Sequence, residues 1–417
     1  MRLPAMSLSS LADPPRACDR AIIAGRIAAH ALGPRLAAGA DALDREGVFP
    51  HDNFPLLHEA GLIAYAAPAP HGKGAGLAAC RAVIQAVAQA EPATALVLVM
   101  TYLQHRQLSC PGSRWPRDVQ DRVLVSAARD GALINALRVE PELGTPARGG
   151  LPATVARRDR QGWRLSGHKL YATGIPALRW LAVWARTDEA QPRTGVFLLE
   201  RRAGQAGLRV VESWNHLGLR ASGSHEVIFD DVLLPFEHAV DLRVPEDWAP
   251  ERASSADREG HAIQQAWMSV LLGTLYDAVA RAGRDWLLGF LAGRSPANLG
   301  RPLSTLPRVQ EQVGEIEALL AANAAMLDLA ALRVDAGEPP SAADSGLLKF
   351  NVTSRAIEAV ERALRLSGNP GLNRGNPLER HYRDVLCGRV HTPQDDTILA
   401  AAGQAAFVAH QAARPGA

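Results

Sequence analysis

The sequence predicts an α+β protein in which helices come first, short strands follow, and longer helices return. Apolar residues recur every three to five positions through roughly the first 130 residues, which is the spacing of one helix face. From about residue 133, short runs rich in Val, Leu and Trp lie between turn residues. With 417 residues, 47% of them hydrophobic, the chain is long enough for two or three packed regions. We expect these regions to be 13–132, 133–245 and 246–417.

The N-terminal region is predicted to be helical to about residue 131. Ile22 and Ile27 belong to the apolar face of its first segment, 13–45. Loops are expected at 49–53 and 67–76, because the second holds prolines and glycines that stop a helix. This glycine-rich loop lacks the strand before it and the acidic residue after it that a dinucleotide-binding loop needs. We therefore expect it to be a structural turn.

The middle region is predicted to form a small antiparallel barrel or sandwich, because its short strands follow one another without helices between them. Residues 159–162 have the composition of a hairpin turn between two of these strands. The predicted strands are 133–139, 153–158, 162–166, 180–187, 195–200, 208–213 and 226–234.

The C-terminal region is predicted to be a charged linker, 245–260, followed by helices. Ser341 with Asp344 three residues later is typical of a capping box, and Pro307 suits the first turn of a helix. The predicted helices are 262–292, 307–335, 341–366, 378–387 and 393–412.

Composition excludes several kinds of partner. Lys and Arg total 45 against 43 Asp and Glu, so a formal net charge of +2 gives no reason to expect a nucleic acid. The four cysteines lack the spacing of a disulfide framework or a zinc site, and no metal is expected. No uncharged apolar run reaches the roughly 18 residues of a membrane span. We expect a cytoplasmic protein that acts on a small molecule, away from membranes.

Three strings in the middle region resemble motifs of the acyl-CoA dehydrogenase superfamily of flavoproteins. Residues 140–145 (EPELGT) are similar to the family's E-P-x-x-G-S loop, and residues 167–174 (GHKLYATG) to its G-x-K-x-W-I-T-N segment. Residues 214–222 (WNHLGLRAS) are similar to its W-x-x-x-G-x-R-x-[ST] string. The resemblance covers nearly the whole chain. It implies an N-terminal helical domain, a middle antiparallel β-domain and a C-terminal four-helix bundle, with FAD, or FMN in its place, bound between them.

The resemblance also implies which residues hold the cofactor. Thr145 stands where the family's loop Ser contacts the flavin, and Tyr171 replaces the Trp on one flavin face. The hydroxyl of Thr173 and neighbouring amides such as that of Ala172 would hydrogen-bond the ring, where donors favour negative charge on the reduced flavin. Arg294 loosely resembles the Arg that reaches the FAD pyrophosphate of a neighbouring subunit. That role would require a homodimer or homotetramer.

The catalytic position departs from the family pattern, which places a Glu in a loop after an Arg-Asp pair. Counting forward from Arg383-Asp384 places Thr392 in that slot. Thr392 with Asp395 three residues later has the spacing of a helix N-cap and its partner, and a carboxylate in a first helical turn is held ionised, which lowers its basicity. His391 lies beside the slot, and an imidazole can hold or release a proton near neutral pH. His391, Thr392 and Asp395 are the candidate catalytic residues.

Two other helices carry candidate residues. Tyr102 and His105 are three positions apart, so they share a helix face, either at the substrate or as a half-buried polar patch. Some relatives carry the base on the first bundle helix, where this chain has Ile263. Gln264 stands where family members that bind CoA often have Arg, and Glu259 is the nearest carboxylate. We take His105 as a candidate catalytic residue, and Tyr102 and Gln264 as candidate substrate residues.

Three functions remain open from the sequence. The first is FAD-dependent oxidation of a CH–CH bond, with hydride transfer to flavin N5 and an unusual base such as Asp395, Asp396 or Glu259. We name it first because the resemblance spans the chain, and a CoA thioester would then be the substrate. The second is a reduced-flavin-dependent monooxygenase of the dibenzothiophene monooxygenase type, with His391 and His105 near the flavin. The third is a flavin-binding subunit without turnover.

Overall fold

The computed structural model describes residues 17–110, 113–142, 150–248 and 252–412. Its N-terminal part is helical, as predicted, and the loops expected at 49–53 and 67–76 are present. The first segment is not one helix, because it breaks at Gly39. The helices are α1 Ala17–Ala38, α2 Ala40–Glu46, α3 Asn53–Glu59, α4 Leu77–Ala90, α5 Pro92–Leu108 and α6 Arg117–Asp130.

The middle part is one eight-stranded sheet in the order β6-β7-β3-β2-β4-β5-β8, with β1 beside β4. The seven predicted strands are present, with ends that differ by up to three residues, and the short strand β8 was missed. The strands are β1 Leu133–Leu137, β2 Val155–Arg158, β3 Trp163–Lys169, β4 Leu178–Thr187, β5 Thr194–Glu200, β6 Leu208–Val211, β7 Glu226–Leu234 and β8 Ala239–Arg243.

The expectation of purely antiparallel pairing is wrong at β4. This ten-residue strand pairs in parallel with β1 along its first half and with β2 at its end. Both connections are long enough to cross over and return in the same direction, which parallel pairing requires. The predicted hairpin is confirmed, because Asp159 N donates to Gly162 O at 2.9 Å and Arg158 pairs with Trp163.

The two faces of the sheet pack on different partners. Trp180 and Leu198 pack with Val123 of α6 in a separate apolar cluster, and Trp180 Nε1 donates to Ser126 Oγ at 2.8 Å. Leu181 and other strand residues that alternate with these belong to the main core, to which the bundle helices also contribute. The sheet is therefore covered on one face by the N-terminal helices.

The C-terminal part is a helical bundle. The linker predicted over 245–260 is wrong in its second half, where a helix begins. Ser254 Oγ accepts a hydrogen bond from Asp257 N at 3.1 Å and caps that helix. The capping box at Ser341 is confirmed by the bond from Asp344 N at 3.1 Å. The helices are α7 Ser255–Gly293, α8 Pro307–Asp335, α9 Ala342–Ser367, α10 Leu378–Leu386 and α11 Asp395–Ala412.

Helix α11 begins two residues later than predicted. The carbonyl of Gln394 accepts the first intrahelical bond, from Ile398 N at 3.0 Å, so Gln394 and not Thr392 is the capping position. Asp395 does lie in the first turn, as expected. Among the helices that the structure describes, none is long and apolar enough to span a membrane.

Candidate functional site

Three hydroxyl groups lie together at the end of β3, and we call Thr173, Ser222 and Ser224 the hydroxyl cluster. Thr173 Oγ1 lies 2.9 Å from Ser224 Oγ, which lies 2.8 Å from Ser222 Oγ. Asn135 on β1 positions the segment by donating Nδ2 to Thr173 O at 3.0 Å. Each hydroxyl can both donate and accept, so the cluster can turn a donor toward a bound group.

The backbone amides beside Thr173 are already used within the chain. The N–H groups of Ala172, Thr173 and Gly174 donate to the carbonyls of His225, Tyr171 and Ser222. Ala172 itself is fully buried. The sequence implied that these amides would bind the cofactor, but here the hydroxyls are the donors that the segment still offers.

An exposed aromatic group lies beside the hydroxyl cluster. Tyr171 is 52% exposed and has a φ of 55°, and its ring meets Trp214 and His216 edge-on. Trp214 and His216 stack with ring centroids 3.7 Å apart. Flat rings next to hydroxyl donors fit a planar, hydrogen-bonding ring such as a flavin.

A buried ion pair fixes the loop that starts at Glu140. Lys169 Nζ donates to Glu140 Oε1 at 2.6 Å and to Trp184 O at 2.6 Å. Glu140 also accepts bonds from Ala153 N and from both Thr154 donors. Burial lowers the pKa of Lys169 to about 8, although Glu140 opposes that shift. Thr145, the cofactor candidate in this loop, lies outside the described residues.

A second buried lysine holds residues 390–396, which we call the 390–396 loop. Lys349 on α9 is fully buried and donates to His391 O at 3.0 Å, Pro393 O at 3.0 Å and Asp395 Oδ1 at 3.1 Å. Burial lowers the pKa of Lys349, and Asp395 opposes that shift. Lys349, 42 positions before His391, therefore ties the loop to the bundle.

His391 is half-buried and neutral at pH 7. A hydrogen bond joins its Nδ1 to the hydroxyl of Tyr276, a fully buried residue of α7. Burial, together with the charge of Lys349, lowers the pKa of His391 to about 4. Among the described residues, Nε2 has no hydrogen-bond partner, so it is the nitrogen that can meet a reacting group.

The carboxylates near this loop are poorly suited to remove a proton. Asp395 is paired with Lys349, and Thr392, in the expected base position, is a half-buried hydroxyl. Burial raises the pKa of Asp384 to about 7, but its carboxylate is 2% exposed and accepts from Leu219 N at 2.6 Å. Glu259 is exposed on the second turn of α7.

Gln264, a candidate on α7, contacts α5, the helix that carries the candidates Tyr102 and His105. Tyr102 is fully buried, and its hydroxyl donates to Leu62 O at 2.6 Å. His105 is also fully buried, neither of its ring nitrogens has a partner among the described residues, and burial lowers its pKa to about 4. Gln264 Nε2 donates to Leu103 O at 3.3 Å and so ties α7 to α5.

The structure does not bring all candidates together. Tyr276, which contacts His391, lies about 18 Å further along α7 than Gln264 at 1.5 Å per residue. Arg294 is exposed at the C-terminal cap of α7, with its guanidinium 5.9 Å from the Phe290 ring centroid. The roles of these residues stay predictions.

Lys349 and Tyr276 were not predicted from the sequence as functional residues. Lys349 stands between Leu348 and Phe350, so its apolar neighbours were the available signal that the lysine is buried. Tyr276 lies in a helical run of apolar residues and has the pattern of an ordinary core residue. Its contact with His391 joins positions 115 apart, which no local pattern shows.

Comparison with known proteins places the chain in a family. Residues 138–232 match the model of the acyl-CoA dehydrogenase middle domain, and residues 290–392 match the C-terminal domain. The chain is 32% identical over 361 residues to the putative acyl-CoA dehydrogenase YdbM of Bacillus subtilis, covering 85% of this chain and 89% of that protein. It is 30% identical over 402 residues to L-evernosamine nitrososynthase of a Micromonospora species, covering 89% and 87%.

Solved structures have the same fold. KijD3 in complex with dTDP superposes with a TM-score of 0.78 and 27% identity, covering 95% of this chain and 98% of that chain. Butyryl-CoA dehydrogenase from Megasphaera elsdenii gives a TM-score of 0.80 at 19% identity, covering 93% and 98%, and so shows the fold alone. Together with the relative that is 32% identical, these matches show that the chain belongs to the acyl-CoA dehydrogenase family of flavin-dependent oxidoreductases.

Proposed function

We propose that the protein is a reduced-flavin-dependent monooxygenase, which adds one oxygen atom of O₂ to a small organic substrate. The main support for this proposal comes from the residues of the 390–396 loop. Dehydrogenation needs a carboxylate that can accept a proton. Here Thr392 fills the expected position and Asp395 is held by Lys349. That carboxylate is occupied by Lys349 Nζ at 3.1 Å and would have to leave it before it could reach a substrate proton.

Similar proteins support the oxygenase proposal. Two relatives are named nitrososynthases, and a nitroso group carries an oxygen atom on nitrogen. KijD3, 27% identical to this chain, has been solved with FMN and a dTDP-linked amino sugar. In such a reaction one oxygen atom goes to the substrate, the other leaves as water, and the reduced flavin supplies two electrons.

The described residues fit a flavin on the β-domain side. Tyr171 would cover part of the ring, and the hydroxyl cluster would donate to its polar edge. We expect FAD, with FMN as the alternative. His391, neutral at pH 7 and oriented by Tyr276, would accept or return a proton at Nε2.

We also infer a homo-oligomer, a dimer or a tetramer. Large apolar side chains are exposed on the bundle, and such side chains are typical of an interface where they form a continuous patch. They include Leu329, Leu332, Leu372, Val390, Phe407 and Val408, which are 51–73% exposed. Light scattering behind a sizing column would give the oligomeric state. The cytoplasmic location expected from the sequence stays a prediction.

Dehydrogenation of an acyl-CoA is the second candidate. The 32% identity to a putative acyl-CoA dehydrogenase favours it. It would require Asp395 to leave Lys349, or Asp396 or Glu259 to reach the substrate.

An oxygen-labelling experiment tests the proposal. Flavin-loaded protein, a separate flavin reductase and NADH are supplied with ¹⁸O₂ and a panel of aromatic, thioether and amine compounds. We expect ¹⁸O in the product of at least one compound, and at least a tenfold loss of product in His391→Ala. Exposed His30 gives the matched control, because His30→Ala should keep the activity. No labelled product from any compound, together with flavin reduction by an acyl-CoA, would refute the proposal.

A further inference from the structure

Residues 214–222, which we call the 214–222 segment, are bound to α10 by the side chains of two adjacent residues. Leu219 N donates to Asp384 Oδ1 at 2.6 Å. Arg383 Nη1 donates to Leu217 O at 2.9 Å. Asp384 is 2% exposed, so its bond to the segment is shielded from water. The segment is therefore attached to the bundle at two alternate residues.

The 214–222 segment and α10 are also in direct backbone contact at Gly218. A Cβ atom at this position would lie 2.2 Å from Arg383 O and 2.8 Å from Asp384 Cα. No side chain fits there, because Cβ atoms do not approach backbone atoms so closely. The glycine thus allows the two hydrogen bonds to form on either side of it.

Leu219 connects this attachment to the candidate flavin site. Its carbonyl accepts hydrogen bonds from Trp214 Nε1 at 3.0 Å and from Ser222 N at 3.0 Å. Ser222 belongs to the hydroxyl cluster, and Trp214 meets the ring of Tyr171 edge-on. Leu219 has a φ of 51°, in the left-handed region that residues with a Cβ atom rarely adopt. Bonds at both its N–H and its carbonyl group hold it in that conformation.

Arg383 is itself fixed by ion pairs, which makes this part of α10 a firm support. Its guanidinium binds Asp44 of α2 at 2.5 and 3.1 Å, and Glu379 of α10 at 2.8 and 3.0 Å. Bidentate pairs fix the orientation of a guanidinium as well as its position. The chain continues from Asp384 into the segment that carries His391. The support therefore lies between the N-terminal helices and the 390–396 loop.

We propose that Asp384 and Arg383 are positioning residues for the flavin site. They hold the 214–222 segment on α10, and Leu219 transmits that constraint to the Trp214 ring and to the hydroxyl cluster. A binding constellation must be held to within about 0.5 Å, so loss of the attachment should weaken flavin binding. This inference rests on the proposed function, because the hydroxyl cluster and the aromatic rings are its flavin site.

The flavin affinity of Asp384→Ala, measured by fluorescence titration of the full chain with FAD and FMN, tests this inference. We expect the affinity to fall about tenfold or more, because Leu219 N loses its acceptor. Asp384→Asn keeps an oxygen that can accept this bond, and its affinity should stay within about threefold of the wild type. Asp277→Ala is the matched control, because Asp277 is an equally buried aspartate that binds Arg281 and Asn323. It should keep the wild-type flavin affinity.

Gly218→Ala tests the same attachment from the side of the segment, with Asp384 intact. The new Cβ must push the segment away from Arg383 O, so flavin affinity should fall about fivefold or more. Gly314→Ala on α8 is the control, because a Cβ there meets no atom within 4 Å. Urea denaturation of the aspartate variants separates positioning from general destabilisation. Asp384→Ala and Asp277→Ala should both lose stability, but only Asp384→Ala should lose flavin affinity.

The inference fails if either Asp384→Ala or Gly218→Ala keeps the wild-type flavin affinity. It also fails if Asp277→Ala weakens flavin binding as much as Asp384→Ala, or if Asp384→Asn loses as much as Asp384→Ala. If Asp384→Ala does not fold, Gly218→Ala and its control decide the question. Because flavin binding is measured without turnover, a failed oxygen-labelling experiment leaves this result readable.

Discussion

Two buried lysines hold two separate groups of candidate residues, one on the β-domain side and one on the bundle side, and the lysines differ in what binds them. Lys169, on the β-domain side, pairs with Glu140, which is 2% exposed and accepts three further bonds. Lys349, on the bundle side, binds two carbonyls and Asp395, whose side chain is 22% exposed. The β-domain side is therefore fixed by a closed, charge-balanced network. The 390–396 loop is held by a cation that binds mainly backbone, together with the Tyr276 hydroxyl at His391.

Removal of Lys169 should have the largest effect. Lys169→Met leaves Glu140 buried without its cation, and breaking a buried pair in this way costs about 3–5 kcal/mol. We expect the free energy of unfolding, measured by urea denaturation, to fall by that amount. Lys73 is exposed, so Lys73→Met should change it by less than about 0.5 kcal/mol. Equal small changes in both variants would show that the network contributes little.

His105 extends the comparison to a buried group without a hydrogen-bond partner among the described residues. Its folded-state pKa of about 4 lies below the ordinary 6.5, so the unfolded chain binds the extra proton. The free energy of unfolding should therefore be highest above pH 6.5. It should fall as the pH drops toward 4, by roughly 3 kcal/mol at most. Urea denaturation at pH 7 and pH 5 should show a smaller loss in His105→Phe than in the wild type. An exposed control, His30→Phe, should lose as much stability as the wild type.

Removal of Lys349 should have a smaller effect on stability and a specific effect on the loop. Lys349→Met should lower the free energy of unfolding by about 2 kcal/mol, because bonds from a charged donor are lost while Asp395 keeps contact with water. The charge of Lys349 lowers the pKa of His391, so NMR titration should find that pKa higher in the variant. An unchanged His391 pKa would contradict the role given to Lys349.

The hydroxyl cluster should show the smallest effect on stability. Thr173→Ala removes one hydrogen bond, to Ser224, and should lower the free energy of unfolding by about 1 kcal/mol. If the cluster donates to the flavin, Thr173→Ser should keep flavin affinity while Thr173→Ala weakens it. Fluorescence titration with FAD and FMN measures both variants. Equal affinities would remove Thr173 from the cofactor site.

The contrast between the β-domain side and the 390–396 loop also explains which features could be predicted from the sequence. The residues around Tyr171 and Thr173 form a continuous string that carries its family resemblance, and the bonds that hold it are largely between neighbouring segments. The strands and most helices follow from local periodicity and caps such as Ser341. Tyr276 and Lys349 reach His391 from 115 and 42 positions away, so their roles depend on helix packing that no local pattern reveals.

The parallel pairing of β4 was missed for a related reason. A strand's residue pattern indicates burial, but it does not show in which direction its neighbour runs. The start of α7 was missed because the charged residues after Ser254 were interpreted as a linker, although Asp257 completes a cap there. Charge alone does not distinguish an exposed helical turn from a loop.

The proposed lack of a usable carboxylate base in the 390–396 loop is tested most directly by anaerobic titration of flavin-loaded protein with acyl-CoAs of several chain lengths. The absorbance of the oxidised flavin should stay unchanged with the wild type. Thr392→Glu, which restores a carboxylate at the expected position, is the informative companion variant. Bleaching of the wild-type flavin by any acyl-CoA would contradict the proposal and identify the protein as a dehydrogenase with a base outside Thr392.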